Sequence, residues 1–202
     1  MSEDNAMSDR LAAIGGTVLP ARTPNLPAAA MYYVTTLKWP VFPLKARGKT
    51  PLTAHGFQDA TLDPERVSAW WKQWPDANIA VPTGPKGLKG CGYDVIDADG
   101  PDGLAAWNTV KHRQCPPGCS GSAFCDATGG FDVRAEAITP GNSSVGRGSG
   151  RHVYVPASGQ GNSARINGQP LDVRGIGGYV VATPSVNLVG DAYTWLKAPV
   201  AS

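Results

Sequence analysis

Residues 93–99, Tyr-Asp-Val-Ile-Asp-Ala-Asp, constrain this chain more than any other stretch. With Val95 and Ile96 at its centre, the segment predicts a buried strand over 91–97. Side chains on a strand alternate faces, so Asp97 and Asp99 point the same way and Asp94 points the other. Two like charges held together repel, and apolar neighbours raise the cost. A bound divalent cation removes that cost, and an all-oxygen pair suits magnesium or manganese. The spacing alone leaves a second reading open, two solvated aspartates at a strand end. Gly100 directly after the pair favours the first, because a buried strand then delivers acids to its open end, where sites commonly lie.

The flanking sequence alternates helix and strand and then becomes mostly strands. Leu26 to Lys38 predicts a helix with Pro27 in its first turn, ended by Pro40. Residues 41–44 predict a strand, and 45–60 a loop carrying Lys45, Arg47 and Lys49. Asp63-Pro64-Glu65 opens a helix running to Trp74. Its Trp70, Trp71 and Trp74 suit core contacts better than stacking platforms. Further strands are expected at 78–82, 135–139 and 151–156, with a helix over 102–111 that Asp102 helps to start. Residues 171–174 and 178–182 read as a strand pair joined by Gly175-Ile176-Gly177. This order predicts an α+β fold with a mixed sheet and a cleft between lobes. The 202 residues suffice for one domain or two small lobes. Residues 1–25 are expected to be a loose tail, 26–196 the folded domain and 197–202 a second tail.

A formal charge of +2 gives no general case for nucleic-acid binding, so any such case rests on local sites. No run approaches the ~18 apolar residues of a membrane span. The polar, acidic start does not resemble a secretory signal, and a cytoplasmic protein is expected. Disulfides are then disfavoured for the 4 cysteines. His112, Cys115, Cys119 and Cys125 form His-x2-Cys-x3-Cys-x5-Cys in a stretch too polar to bury itself. This spacing favours a structural zinc knob over reduced surface thiols. Cys91 reads as a buried strand-edge residue.

Two more segments carry chemistry. Asp172 and Arg174 share a strand face. Taken alone they read as an ordinary ion pair; beside a metal site they supply an acid for the cation and a guanidinium for phosphate. Residues 146–155, Gly-Arg-Gly-Ser-Gly-Arg-His-Val-Tyr-Val, offer a glycine-rich approach to phosphate, with His152 at a strand start. The Gly-Lys-Ser/Thr ending of a Walker motif is missing.

In order, the chain carries Val41-Phe42-Pro43-Leu44, Gly48-Lys49-Thr50-Pro51, Asn78-Ile79-Ala80-Val81-Pro82-Thr83-Gly84, Val95-Ile96-Asp97-Ala98-Asp99-Gly100, Ser149-Gly150-Arg151-His152-Val153-Tyr154 and the run from Leu171 to Ala182. Tyr193-Thr194-Trp195 closes the series. This ordered set resembles the bifunctional DNA primase/polymerase N-terminal family of the archaeo-eukaryotic primase superfamily, over roughly residues 28 to 195. The resemblance implies an RRM-like sheet unit joined to a smaller α/β lobe. It implies a nucleotidyltransferase that copies single-stranded DNA from (d)NTPs with magnesium or manganese. Asp97, Asp99 and Asp172 would hold the metals and His152 would contact the triphosphate. Ser149, Arg151 and Arg174 would add nucleotide contacts, and Lys45 and Lys49 would touch nucleotide or template. Some members carry a zinc-binding stem where the cysteine cluster falls. Relatives often work with a helicase in replication of phages, plasmids or mobile elements; a monomer is expected. The competing readings are a non-catalytic zinc-containing nucleic-acid module and a metal-dependent phosphohydrolase or nuclease.

Overall fold

Asn25 opens the first helix, α1 (Leu26–Tyr32), by accepting the Ala28 N–H at 3.1 Å, and Pro27 sits in the first turn, where a missing N–H is no loss. In this computed structural model, which describes residues 24–111, 131–141 and 148–201, the helix continues as a π-helical turn, Tyr33–Leu37. The wider turn puts Tyr33, Val34 and Leu37 together in the core, where a regular helix was expected to run on to Lys38. Lys38 then turns left-handed at φ 56, ahead of Pro40.

Helix α2 (Pro64–Gln73) follows its sequence signals closely. Asp63 accepts the Glu65 N–H at 2.9 Å, and Lys72 lies in the last turn. Trp71 is buried and its indole N–H donates to the Ala77 carbonyl at 3.0 Å. Trp70 lies 4.8 Å beneath the Arg66 guanidinium. These tryptophans therefore serve packing, as expected.

Strands β1 (Phe42–Leu44), β2 (Asn78–Pro82) and β7 (Tyr179–Val181) form one sheet in the order β1-β2-β7. Strands β3 (Tyr93–Ala98), β4 (Ala135–Thr139), β5 (Gly150–Pro156), β6 (Asp172–Arg174) and β8 (Thr194–Lys197) form a second, ordered β6-β3-β5-β4-β8. Every ladder between these strands is antiparallel, where a mixed sheet was expected. The reason is topological. Helix α3 (Gly100–Val110) carries the chain from β3 towards β4, but β5 inserts between them, so the two parallel strands are never neighbours.

Alternation along β3 builds two cores. Val95, with Ala135, Ala137 and Tyr154, faces α1, α2 and the three-stranded sheet. Ile96 and Ala98, with Val153 and Val173, face Ala106 and Trp107 of α3. Trp39 anchors the first core, stacked on Tyr154 with ring centroids 5.4 Å apart.

Residues 171–174 and 178–182 do not form the expected pair. Strand β6 joins β3 and β7 joins β2, so the chain crosses between sheets at residues 175–178. Thr83 and Asn162 pin the crossing. The Thr83 hydroxyl donates to the Gly175 carbonyl at 2.7 Å, and the Gly175 N–H donates to Asn162 Oδ1 at 3.0 Å. A Cβ at Gly178 would stand 2.4 Å from Asn162 Oδ1 and 2.8 Å from Thr83 Oγ1, so a larger residue would push aside the two side chains that pin the crossing. No helix among the described residues is long and apolar enough to cross a membrane.

Candidate active site

Strand β3 lies between β5 and β6, and that position assembles the site. Asp97 pairs in register with His152 on one side and with Asp172 on the other. Paired residues share a sheet face, so His152, Asp97 and Asp172 form one row across three strands. The row stands at the crossing between the two sheets.

Arg174 follows Asp172 on the same face. Its Nη2 lies 3.4 Å from Asp97 Oδ2 and 3.4 Å from Asp172 Oδ2, bridging the two carboxylates. Asp97 keeps only 13 % of its side-chain surface exposed. Burial pushes its carboxyl above the usual range, against the opposing pull of Arg174 and Lys49. His152 Nε2 lies 3.7 Å from Asp97 Oδ1, too far for a hydrogen bond. Burial first, and the Lys49 charge second, lower the imidazole to about 3, so the ring is neutral at neutral pH. Asp97 Oδ1 and His152 Nδ1 are buried without a hydrogen-bond partner among the described residues.

Asp99 lies one residue past β3, exposed, at the cap position of α3, and makes no capping bond with its side chain. Among the described residues its carboxylate makes no other side-chain bond, and it lines a cavity of the cleft. Tyr193 is raised to about 12, by burial first and then by Asp97 and Asp99, so its hydroxyl keeps its proton beside both acids. The Tyr193 ring packs 5.9 Å from that of His152.

Two cavities are lined by these residues and their neighbours. One, of about 270 Å³, is lined by Lys49, Asp97, His152, Asn162, Arg174 and Gly178. The other, of about 410 Å³, is lined by Arg47, Lys49, Asp99, Asn187, Leu188 and Tyr193. Lys49 lines both.

Not every expected residue joins this group. Arg151 neighbours His152 and therefore faces the opposite side of the sheet, where it pairs with Glu136 at 3.4 Å. Ser149 and Lys45 are exposed and show no side-chain bond to the row among the described residues. Asp94, buried on the far face, accepts from the Ser158 N–H at 2.9 Å and from its hydroxyl at 2.5 Å, which makes it structural. The cluster His112, Cys115, Cys119 and Cys125 lies outside the described residues. Sequence reasoning missed Tyr193 as a site residue, although it opens the closing element. It also missed Asn162, which sits in a polar loop with no periodicity to mark it.

Among the described residues, no three acid, histidine or cysteine side chains converge on a common point. The donor chemistry nevertheless fits a hard divalent cation. Asp97 and Asp172 offer oxygen only, Asp97 Oδ1 is buried with no hydrogen-bond partner among the described residues, and burial outweighs the pull of Arg174 and Lys49 on its carboxyl.

The family described as bifunctional DNA primase/polymerase, N-terminal, matches residues 30–202. No curated protein matches the chain. An α+β domain with antiparallel sheets fits a primase-like domain, and the matched residues hold every element from the end of α1 onward, with the acid–histidine row at their centre. The chain belongs to the bifunctional DNA primase/polymerase N-terminal family, whose activity is of the DNA primase and polymerase type.

Proposed function

We propose that the row His152–Asp97–Asp172 is the centre of a template-directed nucleotidyl transferase that extends a 3′-hydroxyl on single-stranded DNA. The observation carrying this reading is the register that sets a neutral histidine and an acid on either side of Asp97, whose buried Oδ1 has no hydrogen-bond partner among the described residues. Asp97, Asp172 and the nearby Asp99 would hold magnesium or manganese. When bound, the cations neutralise phosphate charge and lower the pKa of the attacking hydroxyl.

The chain's own groups do the rest. Lys49 and Arg174 give the smaller cavity its positive charge and suit the β- and γ-phosphates. Neutral His152 donates one N–H without placing another charge in a buried site. The 3′-oxygen bonds to the α-phosphorus, the bond to the bridging oxygen breaks, and pyrophosphate leaves; the hydroxyl proton passes to solvent. Arg151 is left out of this set because it faces away, paired with Glu136.

The fuller reading adds structural zinc at His112, Cys115, Cys119 and Cys125, a catalytic domain over 26–196 in which an RRM-like sheet unit joins a smaller α/β lobe, and work as a monomer with a helicase on phage, plasmid or mobile-element DNA. A non-catalytic nucleic-acid module is the competing reading, and one observation favours it: Arg174 already bridges Asp97 and Asp172. Electron paramagnetic resonance of Mn²⁺ separates the two. The transferase binds Mn²⁺ more tightly with a deoxynucleoside triphosphate present, and Asp97→Asn abolishes the effect. A signal from wild type that Asp97→Asn leaves unchanged, or no bound Mn²⁺, favours the module.

A further inference from the structure

We propose that the larger cavity seats the strand end or initiating nucleotide that carries the attacking 3′-hydroxyl, with Leu188 and Val189 against its base and Arg47 on its backbone phosphate. The inference rests on the nucleotidyl-transfer reading and adds an acceptor site to it.

The first argument is directional. Attacking and leaving oxygens lie roughly in line through the α-phosphorus. If the triphosphate tail occupies the cavity of Lys49, Arg174 and His152, the hydroxyl arrives from the other side of the acids. The cavity of Asp99 and Tyr193, which shares Lys49 with the first, is the one available to receive it.

The second argument is how the rim is built. Leu188 is 70 % exposed and Val189 44 %, on a loop that is tied rather than loose. Asn187 Oδ1 accepts from the N–H groups of Val189 at 3.1 Å and Asp191 at 2.8 Å, while its Nδ2 donates to the Gly141 carbonyl at 2.6 Å. Asn78, fully buried at the start of β2, ties this loop to the one carrying Arg47. Its Nδ2 donates to Val186 O at 2.7 Å and to Gly48 O at 3.0 Å, and its Oδ1 accepts from Val186 N at 3.0 Å. Arg47 is held left-handed at φ 56, and a Cβ on Gly190 would lie 3.9 Å from its Nη1, so the guanidinium rests against the second loop. Leu188 thus lines the cavity beside the Arg47 cation, with exposed Val189 next to it on the same tied loop. Single-stranded nucleic acid matches that pairing, with an apolar base face next to a phosphate.

The test uses a fluorescein-labelled DNA hairpin with a recessed 3′ end. Binding is read by anisotropy in EDTA, and incorporation is read with Mn²⁺. Leu188→Ser with Val189→Ser, and separately Arg47→Gln, should each raise the hairpin KM and Kd about tenfold. The KM for the incoming deoxynucleotide should stay within about twofold. All three side chains are exposed, so folding is preserved. A raised nucleotide KM with unchanged hairpin binding would reassign the cavity to the incoming nucleotide and overturn the proposal; so would no change in either. If wild type incorporates nothing, the transferase reading falls by itself. Anisotropy then decides the strand site alone: weaker binding in the variants supports it and equal binding overturns it.

Discussion

Replacing Asn78 by alanine tests whether one buried amide holds the cleft's rim together. Three hydrogen bonds vanish with it, to Gly48 O, Val186 O and Val186 N. At about 1 kcal/mol net each, the loss is about 3 kcal/mol, since the orphaned groups recover only part of their bonding from water. In a domain of this size 1 kcal/mol moves Tm by roughly 2–4 °C, so Asn78→Ala should melt about 6–12 °C lower. Asn78→Asp should be worse than alanine. It keeps the acceptor for Val186 N but turns a carboxylate oxygen toward the two carbonyls that the amide N–H groups now satisfy. Scanning calorimetry gives the stability, and hairpin KM, measured well below the lower Tm, reports the rim. A loss under ~1 kcal/mol, or an aspartate no worse than alanine, would refute the reasoning, because the bonds would then not carry the rim.

Other consequences follow from the same geometry. Burial raises Asp97, so its charge opposes folding at neutral pH, an opposition relieved as pH falls through its folded value. In EDTA, Asp97→Asn should therefore melt higher than wild type; a lower melting point would show that the bridge to Arg174 outweighs burial. Cys91 is buried, its thiol raised to about 12 by burial, so peptide mapping after iodoacetamide should find it unmodified in native protein and alkylated only after denaturation. Metal analysis of dialysed protein should find zinc at about one atom per chain, lost in Cys115→Ser with Cys119→Ser; equal zinc in both would remove the knob from the account.

Local patterns carried much of this architecture. The apolar centre of β3 and the Asp63-Pro64 start of α2 appear where side-chain alternation and capping put them. Arg151 shows a signal present but unused: adjacent strand residues face opposite ways, so His152 in the row already sends Arg151 elsewhere. Register was not legible. Nothing local sets Asp97 opposite both His152 and Asp172, since those partners lie far along the chain and meet only through the sheet order. The Gly175-Ile176-Gly177 link looked like a hairpin turn because its glycines fit one. Side chains from elsewhere, Thr83 and Asn162, hold it as a crossing between sheets instead. Tyr193 was hidden for the same reason, reaching the acids only through tertiary packing.

The most direct measurement is incorporation of labelled deoxynucleotides on a primed single-stranded DNA template with Mn²⁺, comparing wild type with Asp97→Asn, Asp172→Asn and Arg151→Gln. The account predicts products from wild type, a loss of at least about a hundredfold in both aspartate variants, and near-normal products from Arg151→Gln, which sits on the other face of the sheet. Products that survive Asp97→Asn would contradict the central claim.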